Sequence, residues 1–300
     1  MNSAPDRPLS GILYMLLTGV LFVAVIGIVK HLGAGLPPAE MAFLRYFLGL
    51  VFLIPMIRPI RRASFTRRDL ALFGARGAAH TIAVMAWFYA MTDIPLADVT
   101  AIGYLAPVWV TLGAAVFLKE PLAARRLLAV AAALLGAFVI IRPGFRAVSG
   151  GHLAMLGTAV LFGASYLIAK LMTERFDPLV IVGMLSITVT IGLAPFAAAV
   201  WITPSAVQLG WIFLVAFFAT AGHYTMTLAF AAAPVTVTQP VTFLQLVWSV
   251  ALGALFFAEP VDIWVIFGGL IILGAVTFIT WREALLKRRE MTPPAPATKV

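Results

Sequence analysis

Long apolar stretches dominate the chain, and short clusters of Pro, Gly and charged residues separate them. A helix needs about 20 mainly apolar residues to cross the hydrocarbon core of a bilayer. The apolar runs are continuous rather than alternating, which excludes the pattern of a membrane β-barrel. The pattern therefore predicts an all-α integral membrane protein with ten transmembrane helices. The predicted spans are 10–32, 39–57, 69–91, 96–118, 124–142, 151–172, 178–202, 207–230, 235–257 and 261–281.

Composition agrees with this interpretation. Of the 300 residues, 62% are hydrophobic and only 11% are charged, whereas a soluble domain carries roughly 25% charged residues. Ten spans leave little chain for loops, so no separate soluble domain is expected. The chain contains no cysteine, which excludes disulfides and thiolate metal sites.

The formal net charge of +9 does not indicate nucleic-acid binding, because the basic residues do not form one face. They lie in short loops and at the C-terminus, as the positive-inside rule expects of cytoplasmic segments. With the N-terminus inside, the cytoplasmic segments hold sixteen Lys and Arg and the outer segments hold three. This asymmetry predicts that both termini are cytoplasmic, and we expect a bacterial inner (plasma) membrane.

The chain repeats itself at an offset of about half its length. Residues 11–30 and 151–170 are identical at 11 of 20 positions, at an offset of 140. Residues 95–121 resemble residues 234–260 at an offset of 139, and both segments end in Glu-Pro. The sequence therefore predicts a first repeat at 1–146, a second repeat at 150–290, and a polar C-terminal tail at 291–300.

Each predicted repeat contains five spans, and five is an odd number. The second repeat must then enter the membrane from the opposite side, so the two repeats are predicted to be inverted copies. Inverted repeats are typical of secondary transporters, in which the repeats exchange conformations to expose a site to alternate sides. A duplication can also merely enlarge a helical bundle, but the absence of a soluble domain favours transport.

Two short motifs carry a resemblance to a known family. The segment "MAFLRYFLG" has Arg45 in the second span, and a "P…EP" pattern ends the fourth and ninth spans. With the five-span halves, these motifs resemble the drug/metabolite transporter superfamily over residues 10–282, specifically its EamA-type ten-helix members. The resemblance implies export of small metabolites, with amino acids, and aromatic amino acids in particular, as expected substrates. Arg45 departs from the repeat, because the matching segment of the second half, "VIVGMLSIT", is uncharged.

The twelve acidic residues all fall at predicted span ends, in loops or in tails. Proton- or sodium-coupled carriers usually need a carboxylate at mid-membrane, so uncoupled facilitation is the predicted mechanism. Glu120 and Glu259, each before a proline, are interpreted as starting the next helix. Lys30 and Lys170 close the first span of each half, where they either complement a helix dipole or form gate contacts.

Polar side chains form stripes along two equivalent predicted spans, the fourth and the ninth. Such stripes either hydrogen-bond packed helices together or line a cavity, and the sequence leaves both open. The two stripes are Thr100, Tyr104, Pro107 and Thr111, and Thr238, Thr242, Gln245 and Ser249.

Two histidines lie deep in equivalent spans, His80 in the third and His223 in the eighth. Each is either a hydrogen-bonded structural residue or a cavity-lining group able to titrate near neutral pH. Spans 1, 3, 4, 6, 8 and 9 are predicted to line the pathway. The candidate substrate-binding residues are His80, Trp87, Thr100, Tyr104, Ser165, Tyr166, His223, Thr242, Gln245 and Trp248.

Two arginines lie within predicted spans. Arg45 is expected to pair with Glu40, with Asp98 or with a helix end, because an isolated arginine is unfavourable at that depth. Attraction of a substrate carboxylate is the alternative. Arg76 precedes His80 by one helical turn. With Lys30 and Lys170, these arginines are the predicted gate or structural charges.

The alternatives to an uncoupled exporter are a coupled antiporter and an intramembrane enzyme. A proton-coupled drug or metabolite antiporter could use an intramembrane histidine. An intramembrane enzyme would need a nucleophile, paired acids or metal-spaced histidines, and the sequence has no such motif, so no catalytic residue, metal or cofactor is predicted. The expected partners are a small-molecule substrate and the lipid bilayer. The protein is either a monomer or a homodimer, and the stripe Ala129, Ala133 and Ala137 would allow close helix packing in either case.

Overall fold

A computed structural model describes residues 8–117, 124–172, 175–232 and 239–291 of the chain. Within these ranges the regular elements are helices and no β-strand occurs, which confirms the all-α prediction. Short 3-10 segments at Gly33–Gly35, Leu50–Met56 and Gln239–Thr242 accompany the α-helices. In chain order the helices are α1 (Pro8–Leu32), α2 (Pro38–Gly49), α3 (Ile57–Arg62), α4 (Arg67–Asp93), α5 (Leu96–Gly103), α6 (Ala106–Phe117), α7 (Ala124–Ile141), α8 (Gly150–Met172), α9 (Pro178–Ala199), α10 (Ala206–Ala232), α11 (Phe243–Phe256) and α12 (Ile263–Met291).

Seven helical stretches of the described chain are long and apolar enough to cross a membrane. Two shorter apolar helices, Leu127–Ile141 and Leu244–Phe256, lie within α7 and α11. The predicted span 39–57 is α2 followed by the 3-10 segment Leu50–Met56. Pro55 lies in that segment and cannot donate a helical hydrogen bond, which is consistent with the loss of regular α-helix there. The seven qualifying stretches are Leu9–Leu32, Arg67–Asp93, Leu96–Phe117, Gly150–Ala169, Leu179–Ala199, Ala206–Met226 and Ile263–Arg282.

The predicted fourth span is broken into α5 and α6 at Tyr104 and Leu105. Pro107 follows the break, and its missing N–H leaves the carbonyl of Gly103 without its usual helical donor. The chain turns instead through tighter bonds, from Tyr104 N to Ala101 O at 3.3 Å and from Leu105 N to Ile102 O at 3.0 Å. The stripe predicted along this span is therefore carried by two helices.

The main helix contacts join residues before 146 to residues after 150. α1 packs along α10, α4 packs along α8, and α7 packs along α12. α2 also contacts α9, and α5 contacts α11. Each half of the chain thus buries its apolar helices largely against the other half.

The contact between α7 and α12 depends on two glycines. A Cβ atom at Gly136 would lie 2.7 Å from the carbonyl oxygen of Gly268, and one at Gly268 would lie 2.5 Å from the carbonyl oxygen of Gly136. The backbones therefore touch, as small residues allow in membrane helices. Ala129, Ala133 and Ala137 are buried in the same core, so the small-residue stripe contributes to packing within the protein.

The helix bundle has two ends with different chemistry. At the Lys30 end, Lys30 reaches Ile94 and Glu259, and Arg142 reaches Asp262. At the Asp69 end, Arg175 pairs with Asp69 at 3.0 Å, and Phe65, Phe73 and Phe176 pack together. The described acids thus lie toward the ends of the bundle.

Candidate functional site

His80 is the centre of a polar network between the two ends of the bundle. Its Nδ1 lies 3.1 Å from Ser165 Oγ, and its Nε2 lies 3.0 Å from the Tyr46 hydroxyl. The network therefore joins α4 to α8 and to α2. All three side chains are buried, so each polar atom meets a partner inside the protein rather than water.

The start of α4 fixes the depth of this network. Thr66 and Asp69 form a capping box at the first turn, so the helix begins at a defined position. His80 is the middle residue of Arg67–Asp93. Arg76 lies one turn away, about 6 Å along the helix axis. The histidine and the arginine are thus both near the middle of the helix.

Within the described residues neither arginine of this region pairs with an acid, so the expected pairing of Arg45 with Glu40 or Asp98 is wrong. Glu40 accepts the N–H of Ile202 at 2.9 Å, and Asp98 pairs with Arg146. Arg45 lies instead over the ring of Tyr46, 3.9 Å from its centroid. Arg76 donates to the carbonyl of Ile181 at 3.0 Å, and its buried Nε has no hydrogen-bond partner.

A cluster of aromatic side chains on α4 and α8 borders the network around His80. The ring of Phe162 lies 4.8 Å from His80 and 6.1 Å from Trp87. It also stacks on Tyr166 at 5.8 Å. Predicted residues His80, Trp87, Ser165 and Tyr166 are therefore brought together at one site.

A second contact, between Tyr104 and Thr242, lies on the other side of the bundle. The Tyr104 hydroxyl donates to the carbonyl of Thr242 at 2.7 Å. Tyr104 lies at the break between α5 and α6, and Thr242 ends the 3-10 segment before α11. Irregular backbone at membrane depth is tolerated where it is buried in protein or lines a cavity. Tyr104 and Thr242 thus form a contact between the interruption of the fourth span and the 3-10 start of α11.

Other buried hydroxyl groups, in the stripes and elsewhere, join neighbouring helices by hydrogen bonds. Thr100 on α5 lies 2.7 Å from the hydroxyl of Ser249 on α11, and both are buried. Thr18 on α1 and Thr225 on α10 make a similar contact at 2.8 Å. For Thr100 and Ser249, the structure thus favours hydrogen bonding between helices, one of the two roles the sequence left open.

The remaining predicted residues lie on α10 and α11, in the second half of the chain. His223 on α10 meets the ring of Phe22 edge to face at 5.2 Å. Gln245 lies against α1, where its Cβ would be 3.6 Å from a Cβ placed on Gly19. Trp248, one turn further along α11, is 43% exposed. Thr238 and Glu120 lie outside the described residues, as does the side chain of Lys170.

Lys30 makes a contact between the halves. Its Nζ donates to the carbonyl of Ile94 at 2.9 Å and pairs with the carboxylate of Glu259. Glu259 also accepts the N–H of Leu96, the first residue of α5, at 2.9 Å. Glu259 therefore stabilises the start of α5 rather than of the helix that follows it, which corrects the sequence interpretation. The first turn of α12 is instead capped by Asp262 through Trp264 N.

More charges surround this contact at the Lys30 end. Buried Asp98 pairs with Arg146 at 2.6 Å and with His152 at 3.0 Å, and Arg142 pairs with Asp262. A cavity of about 210 Å³ at this end is lined by Asp98, Arg142, Arg146, Glu259 and Asp262. The pairs Asp98–His152 and Arg142–Asp262 join the two halves of the chain and hold them together at this end of the bundle.

Sequence reasoning missed two important residues. Tyr46 adjoins Arg45 in the motif "MAFLRYFLG", and a tyrosine beside a mid-span arginine could have suggested its role. His152 lies at the start of α8, and its partner Asp98 is distant in sequence. No spacing rule connects His152 to Asp98, because only the packing of α5 on α8 brings them together.

Apolar spanning helices, interrupted spans in contact and buried polar groups between them are the features of a membrane transporter. The chain belongs to the EamA-like transporter family, whose sequence profile matches residues 9–142 and 149–281. This confirms the resemblance to the drug/metabolite transporter superfamily.

Several characterised bacterial relatives align along nearly the whole chain. A riboflavin transporter of Rhizobium johnstonii is 30% identical over 294 residues, covering 96% of each chain. An S-adenosylmethionine uptake transporter of Rickettsia prowazekii is 25% identical and covers 94% of this chain and 96% of its own. The pseudopaline exporter CntI of Pseudomonas aeruginosa is 27% identical over 89% of this chain and 94% of its own.

A crystal structure of another protein shares the fold. It superposes with a TM-score of 0.59 at 18% sequence identity, covering 97% of this chain and all of the other. The likeness extends to the whole helical bundle.

Proposed function

We propose that this protein is a secondary transporter of small organic solutes that works by alternating access. It has ten spans in two inverted repeats, residues 1–146 and 150–290. Support comes from the two successive matches to the family profile. The helix contacts add support, because α1 on α10 and α4 on α8 are equivalent pairs under exchange of the two repeats.

The contact between the interrupted spans carries this proposal. Tyr104 lies at the break in the fourth span, Thr242 ends the 3-10 segment that leads into α11, and the two meet across the repeat interface. In secondary transporters, discontinuous helices at such an interface bind the substrate near the bilayer midplane. The network of His80, Ser165 and Tyr46 lies at the middle of α4. The substrate site therefore lies between these two groups.

The aromatic residues around the network favour a ring-bearing substrate. Phe162 contacts Trp87 and Tyr166, and rings of this kind stack on planar solutes. Aromatic amino acids are the first candidates. The similarity to riboflavin and S-adenosylmethionine transporters adds heterocyclic metabolites as a second group.

Transport is uncoupled in this proposal, so solute leaves the cell down its own gradient. The described acids lie toward the ends of the bundle, where Asp98, Asp262 and Glu259 pair with basic residues. The alternative is proton-coupled antiport. It is favoured by His80 and His223, which are deep in equivalent helices and belong to the residue type that titrates near neutral pH.

The orientation follows from charge. The positive-inside rule favours cytoplasmic termini in a bacterial inner membrane, and the Lys30 end then faces outward. The ion pairs that join the repeats at that end support an outward-closed state of the transport cycle.

Purified protein in liposomes tests the proposal. Labelled aromatic amino acids and riboflavin are loaded inside, and efflux is followed with and without a pH gradient. We expect saturable efflux of at least one solute that is unchanged when the gradient is removed. Efflux that stops without the gradient would establish the antiport alternative. Absence of protein-dependent efflux for every solute would contradict the proposal.

A further inference from the structure

Among the residues that the structure describes, two buried arginines near the middle of the bundle form no ion pair with an acid. Arg45 is 8% exposed and Arg76 is 5% exposed. Tyr46 contacts the guanidinium of Arg45 and also hydrogen-bonds His80, and Arg76 lies one turn before His80 on α4, so both arginines adjoin the same network. An arginine inside a membrane carries a large free-energy cost unless it has a partner. Two arginines together add mutual repulsion, so a structural role alone explains them poorly.

The acids do not neutralise these charges. Each acid whose side chain the structure describes engages another group. Glu40 and Asp93 accept backbone N–H groups of Ile202 and Gly151. The others bind the residues already described or, for Asp177, the N–H of Leu179. Glu40 uses only Oε2 in its contact with Ile202, and its buried Oε1 has no hydrogen-bond partner. Within the described part of the chain, neither arginine forms an ion pair with any of these acids.

The guanidinium groups also keep unused hydrogen-bond donors. Within the described residues Arg45 has a ring contact with Tyr46 but no hydrogen bond or ion pair. The single bond of Arg76 goes to Ile181 O, and its Nε has no acceptor. A guanidinium has five N–H donors arranged to hold a carboxylate or phosphate. A buried donor without an acceptor is unfavourable, and an oxyanion would satisfy it.

We propose that Arg45 and Arg76 form a subsite for the oxyanion of an aromatic solute, so that the substrate carries a carboxylate or phosphate group. Phe162, Tyr166 and Trp87 border this subsite and hold the ring. We take a free solute rather than a lipid headgroup as the ligand, because headgroups lie about 15 Å or more from the bilayer midplane and both arginines lie between the two ends of the bundle, Arg76 about 6 Å from the middle of α4. This inference rests on the proposed function, since it names the substrate class of the same site.

Two matched probes test the charge of the ligand. Indole-3-propionate and indole-3-propionamide share a ring and a chain, but only the first is an anion. Binding is measured on full-length protein in detergent by isothermal titration calorimetry, because the fluorescence of both indole probes would mask that of the protein. Thermal stabilisation provides a second readout. We expect the acid to bind about tenfold or more tightly than the amide.

Variants assign the preference to the arginines. Arg45→Gln and Arg76→Gln should each reduce the preference for the acid, and Arg45→Lys should keep part of it because the positive charge remains. Arg61→Gln is the matched control, since Arg61 is an exposed arginine at the Asp69 end. If a Gln variant fails to fold, competition by indole-3-propionate against the amide is measured at increasing salt in the native protein. If the anion site is buried, the preference for indole-3-propionate over the amide should persist at high salt.

The outcomes separate the two proposals. Efflux of solutes from liposomes with equal binding of acid and amide would overturn the anion subsite and leave the proposed function standing. A preference for the acid that survives both Gln substitutions would also overturn it. Arginine-dependent acid binding without efflux of any solute would support the subsite and contradict the proposed function.

Discussion

At the residue scale, the pair Thr100–Ser249 distinguishes packing from substrate contact. The hydroxyl groups lie 2.7 Å apart and are buried between α5 and α11. Ser249→Ala should lower the thermal unfolding temperature in detergent, because a buried hydrogen bond contributes about 1 kcal/mol. The apparent KM for efflux should stay unchanged.

The double variant Thr100→Val with Ser249→Ala is the control for this prediction. It removes both partners, so it should lose less stability than the two single variants added together. A large increase in KM with unchanged stability would instead show that these hydroxyls contact the substrate.

Residue type and spacing could predict part of the site. His80, Ser165, Trp87 and Tyr166 come together, and each stood out in the sequence as polar or aromatic inside a span. The partners of Arg45 could not be predicted, because pairing with Glu40 is plausible by sequence distance alone. The structure directs Glu40 to Ile202 N instead, and only the arrangement of α2 beside the loop before α10 explains this.

At the element scale, hydrophobic runs predicted most helices, while helix interruptions were harder to predict. Pro107 marks the break after Gly103, so this interruption has a visible signal. The 3-10 segment Leu50–Met56 continues an unbroken apolar run, and hydropathy does not distinguish it from α-helix. Interruptions depend on backbone hydrogen bonds, which apolar patterning does not encode.

The glycine contact between α7 and α12 gives a second prediction. Gly268→Ala should destabilise the protein, since the added Cβ would lie 2.5 Å from the carbonyl oxygen of Gly136. Gly274→Ala is the matched control on the same helix, because nothing lies within 4 Å of its Cβ position. Alanine is the better helix former by up to about 1 kcal/mol, so the control should be neutral or slightly stabilised. Thermal unfolding in detergent measures both, and equal effects would show that the close approach is not required.

At the scale of the whole molecule, topology is open to a direct test. A reporter fused after Arg289 should be cytoplasmic, and one inserted near Ser149 should be external, because the charge distribution favours cytoplasmic termini. A reporter pair such as alkaline phosphatase and green fluorescent protein gives opposite signals on the two sides. The same side for both sites would contradict the inverted five-plus-five arrangement.

The two ends of the molecule should respond oppositely to loss of charge. Lys30 pairs with Glu259 across the repeats, which favours closure of the Lys30 end. In the repeat, Lys170 and Glu120 are the equivalent residues, and we expect them to close the other end in the opposite state. Lys30→Gln should therefore raise the population open at the Lys30 end, and Lys170→Gln should lower it.

A cysteine in place of Thr100 reports this equilibrium. Thr100 is buried between α5 and α11, one turn from Leu96. A membrane-impermeant thiol reagent therefore reaches it only when the Lys30 end opens and these helices separate. The chain has no native cysteine, and labelling is therefore specific. The rate should rise about threefold to tenfold in Lys30→Gln, as expected for loss of a partly buried ion pair, and should fall in Lys170→Gln. Arg61→Gln, which removes an exposed charge, should leave it unchanged. Equal acceleration by both lysine variants would indicate general loosening of the bundle, and it would contradict an exchange between two symmetry-related states.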